Sequence, residues 1–292
     1  MKIGITTHYY RSNNYGGNLQ AFALCKVLER MGYQAEQICF PFAKYTRYTP
    51  NIRTRLNIAI NNLIDLVAHP IARIRFKQRS EAMLNFNRTF IPHSKNIYTD
   101  VTLPSVASEY DLFITGSDIV WGPCLHSSFF FLNFLPESAK KMSYAASLGT
   151  NMLTPKEKFF FKSDLSSYLA ISVREKTAVK AVEEATGKHV EYCLDPTLLL
   201  EAKDWDKICS DRIVDEPYVF CYFLGTNSGA INVAHKYAEK NNTKLVNIPY
   251  LSKLYNPISD FGDVKLSKIS PCDFLSLIKH SECVFTDSFH AC

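Results

Sequence analysis

Apolar residues along this chain fall into two kinds of block. Short continuous runs end in small, polar or charged residues, and longer segments repeat their apolar positions every three to four residues. The first kind reads as buried strands and the second as helices packed on one face. Residues 2–8 form the first strand, followed by Tyr9 to Asn18. The helix after it sets Leu24, Val27, Leu28 and Met31 on one face, with Gly32 as its stop signal. A second strand over 34–40 completes a β-α-β opening. Further strands are expected over 111–115, 141–146, 170–173 and 190–194. They end in Gly116-Ser117-Asp118, Ser147-Leu148-Gly149, Arg174-Glu175 and Asp195-Pro196-Thr197. After a polar stretch the pattern restarts with a strand over 218–224, a turn at 225–229, a helix to about Lys240 and a strand over 244–248. A helix over 273–280 leads into a strand over 283–286 and the terminal Asp287-Ser288-Phe289-His290-Ala291-Cys292.

Strand, helix and strand in alternation predict parallel sheets covered by helices. The expected fold is α/β, with two Rossmann-like doubly wound domains, and 292 residues suit two domains. The first spans 1–203 and carries a basic helical insertion over about 44–100. A linker over 204–217 follows, then a second domain over 218–292. That last segment supplies fewer strands than a doubly wound domain needs, so it reads as incomplete. The loops bearing Gly, Asp, Ser, Arg and His all fall at the carboxyl ends of strands. In open α/β sheets ligands bind at that edge, because helix N-termini and backbone N–H groups point there. Two such units face to face would enclose a cleft.

Composition narrows the class. The chain is 47% hydrophobic and 21% charged, which excludes a disordered or fibrous protein. Thirty-three Lys and Arg against 28 Asp and Glu give a net charge of +5, too mild for a dedicated nucleic-acid binder. No run approaches the roughly 20 apolar residues of a membrane span, and the N-terminus reads as a strand rather than a signal peptide. A cytoplasmic location is expected. Nine cysteines without a Cys-x-x-Cys pair read as reduced, mostly buried thiols. The basic excess is local: nine Lys and Arg lie between Lys44 and Arg88, opposed only by Asp65 and Glu81, for +7. There Leu56, Ile60, Leu63, Ile64 and Val67 recur at helical spacing and predict an amphipathic helix, broken or kinked at Pro70. Its basic face is either simply solvated or meets anionic headgroups or an anionic substrate.

Several strand-end residues could carry chemistry, each with a plainer alternative. In Asn14-Tyr15-Gly16-Gly17-Asn18 the paired glycines allow close backbone approach, and the helix start favours an anion. The segment is neither a dinucleotide fingerprint nor a P-loop, and a tight turn without a ligand fits it equally. Arg174 can grip a carboxylate or phosphate through two parallel hydrogen bonds; the alternative is an ion pair with an Asp that only holds structure. His290 can give or take a proton, with Asp287 or Ser288 as orienting partners, and His8 is a weaker candidate for the same work. Gly116, Ser117 and Asp118 with Trp121 could line a sugar pocket, the indole stacking on the ring while the carboxylate accepts hydroxyl hydrogens. Against that stands a glycine turn beside a packed tryptophan. Phe129-Phe130-Phe131 reads as core. No metal-ligand spacing and no Gly-x-Ser-x-Gly elbow occur, so no metal is expected.

Six blocks in order resemble the polysaccharide pyruvyl transferase family. They are Asn-Tyr-Gly-Gly-Asn-Leu-Gln-Ala from Asn14, Phe-Ile-Thr-Gly-Ser-Asp from Phe113 with Trp121 after it, and Ser-Tyr-Ala-Ala-Ser-Leu-Gly from Ser143. Ser-Val-Arg-Glu-Lys from Ser172, Leu-Asp-Pro-Thr-Leu-Leu-Leu from Leu194 and Thr-Asp-Ser-Phe-His-Ala from Thr286 follow. The resemblance implies a GT-B-like fold, phosphoenolpyruvate as donor, and a sugar with two suitably placed hydroxyls as acceptor. The product would be a cyclic pyruvate ketal on a hexose such as galactose, in capsule, exopolysaccharide or another cell-surface glycan. No metal or redox cofactor is implied. A lipid-linked oligosaccharide acceptor at the inner face of the membrane, with peripheral membrane contact, suits the basic stretch.

Carried over by residue, Arg174 matches the arginine that binds the donor's anionic groups and His290 the histidine of acid–base work. Asp118 or Asp287 would orient or deprotonate a hydroxyl. Substrate contacts fall to Asn14, Tyr15, Gly16, Gly17, Asn18, Gly116, Ser117, Trp121, Ser147 and Ser288. Ser288 stands where some relatives have an arginine, which leaves the second anion contact unassigned. Ala291 replaces a glycine common in relatives, and relatives continue past this motif. Two other readings stay open: a GT-B glycosyltransferase using a nucleotide sugar, and a non-catalytic remnant or binding subunit of a glycan-assembly complex.

Overall fold

A computed structural model describes residues 1–41, 70–122, 127–225, 227–250 and 259–292. The chain divides into two compact units, but not by a single cut: residues 1–49 and 87–201 form one, residues 50–86 and 202–292 the other.

Seven parallel strands form the sheet of the first unit: β1 (Lys2–Thr6), β2 (Gln34–Cys39), β3 (His93–Ile97), β4 (Leu112–Thr115), β5 (Lys141–Ser143), β6 (Tyr168–Val173) and β7 (Val190–Tyr192). Their spatial order is β3-β2-β1-β4-β5-β6-β7, so the winding reverses between β1 and β4. Helix α1 (Tyr15–Arg30) follows β1 and lays Leu24, Cys25 and Leu28 against Ile3, Ile5 and Ile114. Met31 falls just past the helix and is exposed, leaving the apolar face shorter than its spacing suggested. Gly32 ends the helix at φ +86°, where a side chain would be strained. A second core holds Phe129, Phe130, Phe131, Trp121, Phe161 and Tyr168, with helices α3 (Pro155–Asp164) and α4 (Lys176–Thr186) contributing Phe161 and Val182.

Three of these elements escape the sequence pattern. β3 is polar apart from Ile97 and lies at the sheet edge, so it carries no alternation to read. α3 buries little beyond Phe161 and forms through its ends, with Pro155 at the first turn and a capping box between Thr154 and Glu157. The third is α2 (Pro70–Phe90), which begins at the proline expected to break a helix. The amphipathic helix expected over 56–67 lies outside the described residues.

In the second unit β8 (Tyr218–Tyr222), β9 (Lys244–Asn247), β10 (Val264–Lys265) and β11 (Cys283–Thr286) form a parallel sheet in the order β10-β9-β8-β11, again reversing beside its first strand. Helix α6 (Ser228–Asn241) packs Ile231, Ala234 and Ala238 on Val219, Cys221 and Leu245. Residues 204–217, expected as a linker, are instead bonded to helix α7 (Pro271–Lys279). Short helix α5 (Ala202–Asp206) accepts Lys279 on Asp206 at 2.7 Å, Ser210 donates to Asp273 at 2.8 Å, and Ser276 donates to the Asp211 carbonyl at 2.8 Å.

The basic stretch is partly spent inside this unit. Arg79 of α2 is 3% exposed and donates to the carbonyls of Pro249 at 2.8 Å, Ser267 at 3.1 Å and Leu266 at 3.3 Å. Arg75 pairs with Asp260 at 3.4 Å. Arg79 is therefore not part of a solvated or headgroup-facing stripe, and Arg75, half-buried, is paired. Among the described cysteines Cys25, Cys39 and Cys221 are buried, four are half-buried and Cys292 is exposed, fewer buried than expected; all eight are free thiols. No helix among the described residues is long and apolar enough to cross a membrane.

Candidate active site

In the first unit the site grows from the reversal between β1 and β4, where parallel strands send their following loops to opposite faces and leave a crevice. The two loops are tied across it. Thr7 donates from Oγ1 to the Ser117 carbonyl at 2.7 Å, Gln20 donates to Thr7 Oγ1 at 2.8 Å, and His8 Nε2 bonds the Ile119 carbonyl at 3.1 Å. The His8 ring lies against Phe130, 4.3 Å between centroids. Burial pulls the His8 pKa below 6.5, against the opposing pull of the Asp118 carboxylate and the Ile119 carbonyl.

The Asn14-to-Asn18 segment starts α1. Asn14 caps it by accepting from Gly17 N at 3.2 Å, and Asn18 Nδ2 donates to the carbonyls of Asn14 at 2.7 Å and Ser12 at 3.2 Å. Asn14 is exposed, whereas Tyr15, Gly16, Gly17 and Asn18 are buried. Gly17 is required by proximity: a Cβ there would stand 2.4 Å from the His8 carbonyl oxygen and 3.4 Å from Asp118 Oδ2. The helix start thus meets backbone and a carboxylate of its own chain.

Beyond β4, Gly116 is enclosed by Ile5, Thr7 and Leu24, and Asp118 adopts φ +75°, an uncommon left-handed conformation for a non-glycine residue. The turn aims its carboxylate back at its own loop, where Oδ1 accepts from Ile119 N at 2.9 Å. Ser147, past β5, donates through N to the Asp118 carbonyl at 3.0 Å and through Oγ to Glu175 Oε1. Glu175 also accepts from Leu148 N at 3.4 Å.

Arg174 leaves the end of β6 into this network with its side chain 9% exposed. Its Nη1 lies 3.0 Å from Asp195 Oδ2 and 4.0 Å from Asp118 Oδ1, and its Nε 3.7 Å from Glu175 Oε1. One guanidinium therefore sits among three carboxyl groups. The Arg174–Asp ion pair allowed for in the sequence is present, and its partner is Asp195. Asp195 and Glu175 were missed as site residues. The available signal was an Asp-Pro at a strand end, which caps the short 3-10 turn Pro196–Leu199.

Trp121 does not line a pocket. It is 2% exposed, stacks on Phe131 at 5.6 Å, meets Phe161 and Tyr168 edge-on, and donates from Nε1 to the Phe130 carbonyl at 3.2 Å. The indole face expected to carry a sugar is covered by core.

In the second unit the corresponding reversal lies between β8 and β11. Asp287 Oδ1 accepts from Leu224 N at 2.7 Å, joining the loops after these two strands. Thr286 Oγ1 donates to the Tyr222 carbonyl at 2.6 Å and accepts from Ser288 N at 3.0 Å. Asp287 is exposed, Ser288 buried, and His290 half-buried in the turn Phe289–Ala291, its ring perpendicular to that of Phe289 at 5.1 Å. Arg174, Asp118, Ser117 and Ser147 are thus gathered in one unit, and Asp287, Ser288 and His290 in the other. Among the described residues no group of three or more His, Cys, Asp or Glu is placed to hold a metal ion.

Comparison with known proteins bears on the fold and, separately, on the sequence. A UDP-GlcNAc 2-epimerase of Methanocaldococcus jannaschii shares the fold at TM-score 0.52 and 10% identity, over 100% of this chain and 80% of that one. A protein of Listeria monocytogenes assigned as a UDP-N-acetylglucosamine 2-epimerase does so at 0.52 and 11%, over 99% and 74%. At such identity the likeness is one of fold alone: two doubly wound, GT-B-like units. No curated protein matches the chain in sequence. The sequence profile of polysaccharide pyruvyl transferases matches residues 14–292, a span that includes the Gly17 helix start, Asp118, Arg174 and His290. The chain belongs to the polysaccharide pyruvyl transferase family.

Proposed function

We propose that the chain moves the enolpyruvyl group of phosphoenolpyruvate onto two hydroxyls of a hexose, such as galactose, and closes a cyclic pyruvate ketal during synthesis of capsule, exopolysaccharide or another surface glycan. The observation that carries this is the family match over 14–292. The placement of Arg174 and Asp118 at the carboxyl edge of one sheet, and of His290 and Asp287 at that of the other, supports it. His290 delivers a proton to the methylene carbon of the donor, and positive charge develops at the central carbon. One sugar hydroxyl attacks that carbon and the carbon–oxygen bond to phosphate breaks. The second hydroxyl attacks the same carbon, and the ketal closes. Of the two hydroxyl protons, one ends on the new methyl group and the other on the released phosphate. Asp118 or Asp287 receives a hydroxyl proton on the way, and Arg174 holds the donor's anionic groups. The acceptor is carried on a lipid-linked oligosaccharide at the inner face of the membrane.

Thermal unfolding with phosphoenolpyruvate tests the donor without knowledge of the acceptor. A ligand at about 100 times its Kd stabilises the folded state by roughly 2.7 kcal/mol. Stabilisation that disappears in Arg174→Ala is expected. Stabilisation by UDP alone would replace this reading with a nucleotide-sugar glycosyltransferase, and a folded chain indifferent to both would point to a non-catalytic subunit.

A further inference from the structure

Asp195 has no exposed side-chain surface, and both of its oxygens are engaged. Oδ2 accepts from Ser117 Oγ at 2.7 Å and Arg174 Nη1 at 3.0 Å; Oδ1 accepts from Thr197 N at 3.0 Å and Thr197 Oγ1 at 2.8 Å. A carboxylate gripped from the loop after β4 and from its own capping turn cannot swing to follow a moving guanidinium. Arg174 must come to it. The other two carboxyl groups differ. Asp118 at 4.0 Å and Glu175 at 3.7 Å stand beyond hydrogen-bond distance of the guanidinium. Both also have other work, Asp118 on Ile119 N and Glu175 on Ser147 Oγ and Leu148 N.

We infer that Asp195 is a positioning residue for donor binding: it anchors Nη1 of Arg174 and so sets where the guanidinium stands, while Asp118 and Glu175, beyond hydrogen-bond distance and bonded elsewhere, do not hold it. The planar fork of an arginine recognises a carboxylate or phosphate only when its orientation is set, and leaving Asp195 buried without its cation is costly, so the anchor persists when the ligand arrives. The inference rests on the donor reading given above.

Calorimetric titration with phosphoenolpyruvate at a temperature where every variant is folded tests it. Asp195→Asn keeps the size and an acceptor but removes the charge, and should raise the Kd about tenfold, the scale of one charge-assisted hydrogen bond. Thr197→Val, which loosens the anchor without touching Arg174, should raise it roughly threefold, and it decides the matter if the Asn variant does not fold. In an Arg174→Lys background, where no fork exists to orient, Asp195→Asn should add nothing. A wild-type Kd in both variants, or an equal penalty in the Lys background, would overturn the positioning role and leave the donor reading intact. A wild-type chain that takes up no phosphoenolpyruvate would refute the donor reading and this inference with it.

Discussion

Gly17→Ala sets two effects of opposite sign against each other. Within a helix, replacing glycine by alanine ordinarily stabilises by about 0.5–1 kcal/mol, because alanine loses less backbone entropy on folding. Here the added Cβ would lie 2.4 Å from the His8 carbonyl oxygen, and about 0.6 Å of movement is needed before the contact reaches even 3.0 Å. The obstacle is backbone of the loop after β1, so no side-chain rotation relieves it, and overpacking of this kind costs about 1–3 kcal/mol. The steric term wins, and a net loss of about 1–2 kcal/mol is expected. At 2–4 °C per kcal/mol for a unit of this size, Tm falls by roughly 2–8 °C. Gly229→Ala is the control. It lies in the first turn of α6, where a Cβ would meet only Asn227 Oδ1 at 3.8 Å, so the same change should stabilise by a few tenths to about 1 kcal/mol. Scanning calorimetry of both variants reads the two signs. A Gly17→Ala chain as stable as wild type, or more so, would refute the close approach of α1 to the loop after β1.

Two further outcomes follow from the same crevice. Trp121→Ala should cost about 3–5 kcal/mol in urea unfolding, as for any large aromatic removed from a packed core; a loss under about 1 kcal/mol together with weakened ligand binding would restore the stacking role. His8 is held neutral by burial, with its folded pKa below 6.5. The unfolded chain therefore binds the extra proton first as pH falls through 6.5, so the His8 contribution is complete above that value and is lost below it. Urea unfolding on either side of pH 6.5 should show the slope, and His8→Gln should flatten it; an unchanged slope would refute the assignment.

Much of the frame could be read from the chain because parallel strands buried on both faces are written as plain apolar runs. Tyr218–Tyr222 and Leu112–Thr115 were found this way, and so was the edge on which Arg174, Asp118 and His290 stand. Polar edge strand β3, two-residue β10 and end-capped α3 lack that signature. The association of 50–86 with 202–292 depends on contacts such as Arg79 with Pro249, for which spacing holds no information. Trp121 shows a different limit: an indole at a strand end looks the same whether a sugar or Phe131 lies on it. Asp195 was visible as a residue but not as the partner of an arginine 21 positions earlier.

The long reach of Arg79 bears on how the protein is made. One of its carbonyl partners, Pro249, is 170 residues further along the chain. At translation rates of about 5–20 residues per second, the guanidinium waits roughly 10–30 s before that acceptor is synthesised. Through that interval the start of α2 is made without the half-unit it belongs to, while residues 87–201 of the first unit are being synthesised. The second unit therefore cannot assemble as an independent late domain. The α2 residues of this unit are made long before the carbonyls of Pro249, Leu266 and Ser267 that Arg79 binds.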